Sequence, residues 1–180
     1  MTRLSELMRM LEGYEPSPAE VPARHAMLAL AREANDPFSR NLFEPGHFTA
    51  SGFVLSPDGG SLLMVHHRRL DRWLQPGGHI DPTGERVVEA SMREIEEETG
   101  IAVLRPIHDG IFDIDVHDIP PKNQEPAHLH FDVRFLFAAE DDTIVADDEV
   151  HDAAWVPLGE VARKTRDASV LRALAKLVDS

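Results

Sequence analysis

The chain contains no cysteine. A disulfide framework, thiolate chemistry and any zinc site built on sulfur are therefore excluded. Basic residues are also scarce: 18 Lys and Arg stand against 32 Asp and Glu, a formal net charge of −14. Such a field repels polyanions at long range, which argues against a protein that grips a nucleic acid backbone. A small anionic ligand would need a bound cation or a few placed Arg and Lys. Long apolar runs are missing too. The opening stretch MTRLSELMRMLEGYEP carries charges throughout, so neither a signal peptide nor a membrane span is expected, and the expectation is a soluble cytoplasmic protein. What is present, 42% hydrophobic residues in 180, suffices for one domain with a substantial core.

Leu4, Leu7, Met8 and Leu11 fall at i, i+3, i+4 and i+7 and predict a short amphipathic helix. In SPAE, Ser17 as N-cap, Pro18 at the first helical position and Glu20 as the capping-box acid open a second helix, expected to run to Asn35 before Pro37 stops it. Residues 1–46 are thus an N-terminal helical extension, whose apolar stripes need a partner in the core or across a homodimer contact; residues 47–180 form the main domain. From His47 the pattern changes to strands. HFTASGFVLS and SLLMVHHRR flank PDGG, a hairpin signal. WLQPGGHIDPTGE reads as a loop, followed by a helix that ends at Gly100. Further strands are expected over 101–115 and 128–138, separated by the polar HDIPPKNQEPAH. EDDTIVADDEVHD reads as a solvated turn around a short strand, AAWVPLGEVARK as a strand leading into a short helix, and Val170, Leu171, Leu174, Leu177 and Val178 mark a last amphipathic helix. This order predicts an α+β or mixed α/β sandwich.

The segment EASMREIEEETG places Glu94, Glu96, Glu97 and Glu98 within five consecutive positions. On a helix Glu94, Glu97 and Glu98 share an arc of about 100°, beside an apolar stripe of Val88, Met92 and Ile95, while Glu96 points elsewhere. Each like-charge pair costs roughly 0.2–0.5 kcal/mol, and the macrodipole disfavours anions in the last turn. Two readings stand: a solvated acidic face, or a seat for a divalent cation, since Mg²⁺ takes oxygen ligands at about 2.0–2.1 Å. The surroundings favour the second, with Gly77 and Gly78 just ahead of the helix, Glu85 at its start and Arg93 immediately before the acids.

The stretch GHIDPTGERVVEASMREIEEETGI resembles the Nudix box, in which Gly, five residues, Glu and seven residues precede Arg-Glu-apolar-x-Glu-Glu-x-Gly-apolar. Glu85, Arg93, Glu94, Ile95, Glu97, Glu98, Gly100 and Ile101 match every fixed position from Glu85 onward; Gly78 matches in kind one residue upstream, so HIDPTG carries an insertion. The box spans 24 of 180 residues, and GHFTASGFVLS, LQPGGH and WVPLGE are more loosely similar to segments of MutT-like Nudix hydrolases. The resemblance implies a Nudix-like α/β/α sandwich with a mixed β-sheet. It also implies a pyrophosphohydrolase that cleaves the diphosphate linkage of a nucleoside diphosphate derivative or nucleoside triphosphate by metal-assisted attack of water on phosphorus. Mg²⁺ or Mn²⁺ would be held by Glu94, Glu97 and Glu98, with the Gly77 or Gly78 carbonyl as a further ligand. Arg93 would hold the carboxylates, Glu85 would pair with Arg93 rather than with metal, and the general base would be Glu94 or the loop acid Glu149. The rival reading is a Nudix-fold module that binds a nucleotide or nucleotide sugar without cleaving it. Such modules tend to lose box carboxylates, and all of them are present here.

In HLHFDVRFLF, His128, His130, Asp132 and Arg134 alternate with Leu129, Phe131, Val133, Phe135 and Phe137. The polar face is either exposed to solvent or lines a substrate pocket, with Arg134 meeting phosphate and the imidazoles meeting base or ribose. A His-x-His-x-Asp metal site ranks last, because alternate strand residues stand about 6–7 Å apart. Arg68 and His79 complete the expected substrate contacts. Trp73 is read as core packing or base stacking, and Arg69 and Arg72 as further positive charge near the site.

Overall fold

The computed structural model describes residues 2–146 and 150–178. Helix α1 (Arg3–Gly13) begins where the Thr2 hydroxyl accepts from the Ser5 backbone N–H at 3.2 Å, and it buries Leu7 and Leu11 completely. Helix α2 (Val21–Glu33) starts three residues later than Pro18, the expected first position, and ends at Glu33. Glu20 is the reason. Its carboxylate accepts from the Ser17 backbone N–H at 2.9 Å, as a capping-box acid would, but it is fully buried and also bonded to Lys176 and Tyr14, so it stands before the helix as its N-cap.

The strands are β1 (Gly46–Leu55), β2 (Ser61–His67), β3 (Arg72–Leu74), β4 (Gly77–His79), β5 (Leu104–Pro106), β6 (Asp113–Ile119), β7 (His128–Ala139) and β8 (Val150–Pro157). Between them lie α3 (Val87–Thr99), a 3₁₀ turn at Leu158–Glu160, α4 (Val161–Lys164) and α5 (Ala168–Val178). All the strands join one mixed sheet: β1 and β7 pair in parallel over ten registered positions, and the remaining pairs are antiparallel. Helices cover both faces. On one face α1, α2 and α3 pack on Phe48, Ala50, Val54, Phe131 and Val133. On the other, Val161 of α4 and Val170 and Ala173 of α5 pack on Phe53, Leu62, Met64 and Leu136. The expected α+β sandwich with a mixed sheet and leading helices is thus the one observed, and the stripes of α1 and α2 are covered by the chain's own sheet. No helix among the described residues is long and apolar enough to cross a membrane.

Several local expectations need correction. WLQPGGH is not merely a loop: it contributes β3 and β4, and β4 lies against β1 with Thr49 opposite His79, Ala50 opposite Gly78 and Ser51 opposite Gly77. A three-residue strand is invisible to periodicity because its hydrogen bonds come from a distant partner. The stretch 101–115 divides into β5 and the start of β6, and β6 runs on to Ile119, inside a segment expected to be loop. Residues 141–146 form no strand; the Val145 backbone N–H donates to the Thr99 carbonyl at 2.8 Å. On α3 the buried face is Val87, Ala90, Ser91, Ile95, Glu98 and Thr99, while Val88 and Met92 of the expected stripe are half-buried. Small Ala90 and Ser91 permit a close approach to β1, where a Cβ on Gly52 would stand 2.6 Å from Ile95 Cδ1.

Candidate functional site: a braced carboxylate cluster and a polar sheet face

The close seating of α3 turns Glu98 inward. It is 6% exposed, and its Oε2 accepts from the Gly77 backbone N–H at 2.9 Å. One turn earlier Glu94 lies over Gly78, where an added Cβ would meet Glu94 Oε2 at 2.4 Å. Gly78 is therefore required by proximity to a carboxylate. Glu97 is further out, with about half its side chain exposed (51%).

Arg93 braces the group. Its Nη1 donates to Glu94 Oε1 and Glu97 Oε2, each at 2.9 Å. Nη2 donates to Glu85 Oε1 at 2.8 Å and to the His79 carbonyl at 2.9 Å, and Nε to Glu85 Oε2 at 3.1 Å. The two-point fork on Glu85 is the geometry a guanidinium favours with a carboxylate. These bonds, that to Glu85 foremost, push the Arg93 pKa up. Burial works to raise Glu85, but Arg93 and the Asp81 backbone N–H outweigh it and hold Glu85 below the usual carboxylate value. The loop HIDPTG is tied from outside: Arg3 Nη1 donates to the Asp81 carbonyl at 2.8 Å, and Arg86 at the start of α3 pairs with Glu6 of α1. The leading helices thereby stiffen the loop that contains the extra residue.

Glu94, Glu97, Glu98 and the Gly77–Gly78 carbonyls offer only oxygen donors along one helix turn and the neighbouring strand, a set suited to a hard divalent cation. Glu149 lies outside the described residues.

The face of β7 expected to meet substrate is largely closed. Arg134 is 2% exposed, with Asp132 at 2.8 Å, Asp113 at 3.2 Å and Asp115 at 3.4 Å. The expectation that it meets phosphate is corrected: three carboxylates already surround the cation in the interior. Asp132 accepts from Thr49 Oγ1 at 3.1 Å, Ser51 Oγ at 2.7 Å and Gln75 Nε2 at 3.2 Å. The network continues through Arg172 to Asp113 and through Lys176 to Asp113 and Glu20, each Lys176 bond shorter than 3 Å. A solvent-exposed face is equally excluded, since His128 and Asp132 are buried. Arg68 Nε donates to the Val150 carbonyl at 3.1 Å, Arg69 pairs with Glu125 at 2.8 Å, and Arg72 reaches Asp167 at 3.6 Å. Trp73 stacks on His66 beneath Lys164.

His130 lies among imidazoles from other strands. Its ring centroid is 4.9 Å from that of His47 on β1 and 5.3 Å from that of His79 on β4, and His47 and His79 are 5.2 Å apart. Burial first, and then the neighbouring His47 charge, lower the His79 pKa to about 4; burial likewise lowers His47 and His130. The rings are neutral near pH 7. The sequence did not single out His47, because only the parallel register of β1 on β7, which sets His47 opposite His130, brings it here. His128 stacks on His47 with centroids 5.1 Å apart.

The NUDIX domain family matches residues 46–177 of the chain. Among curated relatives, the uncharacterised Nudix hydrolase YvcI of Bacillus subtilis (strain 168) is 38% identical over 65 residues, which is 36% of this chain and 40% of that protein. The chain thus spans less than half of that relative's length. The nucleoside triphosphatase NudI of Salmonella heidelberg (strain SL476) is 35% identical over 116 residues, 61% of this chain and 81% of that protein. Among solved structures, the E. coli dihydroneopterin triphosphate pyrophosphohydrolase superposes with a TM-score of 0.56 at 19% identity, over 74% of this chain and 96% of that one, a likeness of fold.

Proposed function

The chain belongs to the Nudix family, and from that membership we propose that it is a pyrophosphohydrolase cleaving the diphosphate linkage of a nucleoside diphosphate derivative or nucleoside triphosphate, with Mg²⁺ or Mn²⁺ bound by Glu94, Glu97 and Glu98. The carrying observation is the Arg93 brace, which holds Glu94 and Glu97 on one side and Glu85 on the other while Glu98 is fixed on Gly77. Crowded anions in the last turn of a helix are locally unfavourable, and a cation site gives them a purpose. The name of the Salmonella relative, a nucleoside triphosphatase, supports a substrate of the nucleotide class.

A divalent cation at this oxygen set supplies neutralisation of phosphate charge and activation of water for attack on phosphorus. The remaining work falls to the chain. Arg93 orients its neighbouring carboxylates Glu94 and Glu97, Glu85 fixes the guanidinium, and the Gly77 N–H holds Glu98 in one rotamer. The Gly77 or Gly78 carbonyl would serve as a further ligand to the cation. The proton of the attacking water passes to Glu94 or to Glu149.

The test is incubation with Mg²⁺ or Mn²⁺ and a panel of nucleoside triphosphates, oxidised dNTPs, ADP-ribose, NDP-sugars and dinucleoside polyphosphates. Release of phosphate or nucleoside monophosphate, abolished by Glu98→Gln, supports the enzyme; binding without turnover selects the non-catalytic module instead. Glu94→Gln and Glu149→Gln in the same assay assign the base.

A further inference from the structure

We propose that His47, His79 and His130 form a second cation site, selective for a nitrogen-preferring divalent ion of the Zn²⁺ class and chemically distinct from the carboxylate cluster. One nitrogen from each ring lies within 4.8 Å of the others. Three imidazoles bound tetrahedrally at about 2.0–2.1 Å hold their ring centroids roughly 5.2 Å apart. The observed spacings of 4.9, 5.2 and 5.3 Å already match, so the donor nitrogens close on an ion by turning the rings, with no movement of strands.

The orientation of His47 supplies a second, independent observation. The ring is completely buried, and its Nδ1 lies 3.1 Å from the Leu42 carbonyl. A carbonyl only accepts, so Nδ1 carries the proton and Nε2 presents its lone pair. A ligating histidine is held in this same way, with one ring nitrogen anchored to a carbonyl and the other aimed at the ion. The Nε2 atoms of both His47 and His130 are buried and have no hydrogen-bond partner among the described residues, which is rare for buried polar atoms. A bound ion would satisfy both.

The identity of the cation follows from the donors. Three imidazole nitrogens with no carboxylate among them suit Zn²⁺, Co²⁺ or Ni²⁺ and offer little to Mg²⁺, which favours oxygen. The two sites also occupy opposite sides of β4. A Cβ on Gly78 would point at Glu94, whereas the next residue, His79, lies opposite Thr49 on the other face. Three protein ligands leave a fourth position for water or a ligand atom.

The test uses the full chain without an affinity tag. Dialysed protein should retain one equivalent of Zn²⁺, and Co²⁺ should give the visible absorption of a tetrahedral nitrogen-ligated ion that excess Mg²⁺ does not bleach. His79→Asn and His130→Asn should each weaken Co²⁺ binding at least ~10-fold, while Glu98→Gln leaves the absorption unchanged and loses only Mg²⁺-dependent hydrolysis. Circular dichroism checks the fold, and the two histidine variants are read separately so that either suffices. No zinc retained by the wild type, binding unaltered in a folded histidine variant, or absorption lost in Glu98→Gln would each overturn the proposal. Because the readout is metal binding, failure here is distinct from failure of the hydrolase reading.

Discussion

The backbone N–H of Gly77 donates to Glu98 Oε2 at 2.9 Å, fastening the final turn of α3 to β4. A glutamine side-chain oxygen can accept the same bond, but it lacks the charge a cation needs. Glu98→Gln should therefore change unfolding free energy by less than about 1 kcal/mol while lowering kcat/KM at least ~100-fold. Chemical denaturation and steady-state kinetics on one preparation check both halves.

Arg93 reaches Glu85, Glu94, Glu97 and the His79 carbonyl at once. A lysine ammonium cannot span that fork. For Arg93→Lys we expect the Mg²⁺ concentration for half-maximal activity to rise by about 10–100-fold, with partial recovery at high Mg²⁺. An unchanged Mg²⁺ dependence would mean the arginine serves only to hold the fold.

Two glycines make contrasting predictions. A methyl on Gly52 meets Ile95 Cδ1 at 2.6 Å inside the core, whereas one on Gly78 meets Glu94 Oε2 at 2.4 Å. Gly52→Ala should cost about 1–3 kcal/mol of stability by overpacking. Gly78→Ala should instead displace Glu94 and reduce activity more than it lowers Tm. Thermal melts and activity measured in parallel separate the two.

Glu20 links the leading helices to α5. Burial opposes its ionisation, yet bonds from Lys176, Ser17 and Tyr14 prevail and hold its pKa at about 2 against an ordinary 4.5. As pH falls through 4.5 the unfolded chain takes up this proton first, so stability present above that pH is lost progressively down to the folded value. The contribution is up to about 3 kcal/mol. In urea titrations the gap between wild type and Glu20→Gln should be widest at neutral pH and narrow from pH 4.5 downward.

The box helix could be read from sequence because its meaning is local. One turn brings Glu94, Glu97 and Glu98 together whatever surrounds them, and Gly100 ends the helix in a left-handed conformation, φ 75°. The alternation of β7 was equally legible, with its apolar and polar faces both as expected. What covers the polar face was not legible. Arg134 is neutralised by Asp113 and Asp115 on β6, a strand whose register no local pattern discloses. The direction in which α3 docks also escaped periodicity, since Ala90 and Ser91 count weakly as apolar yet form the closest face.

By itself, then, the sequence determined the helix bearing the acids, the oxygen chemistry it offers and the architecture around it, since these follow from spacings within one or two turns or strands. Only the tertiary structure decided that Arg134 is an interior counter-ion, that α1 braces the loop before the acids, and that His47 meets His79 and His130. Those relationships join residues tens of positions apart. They are set by strand register and helix docking, which arise from packing of the whole chain rather than from any segment's own pattern.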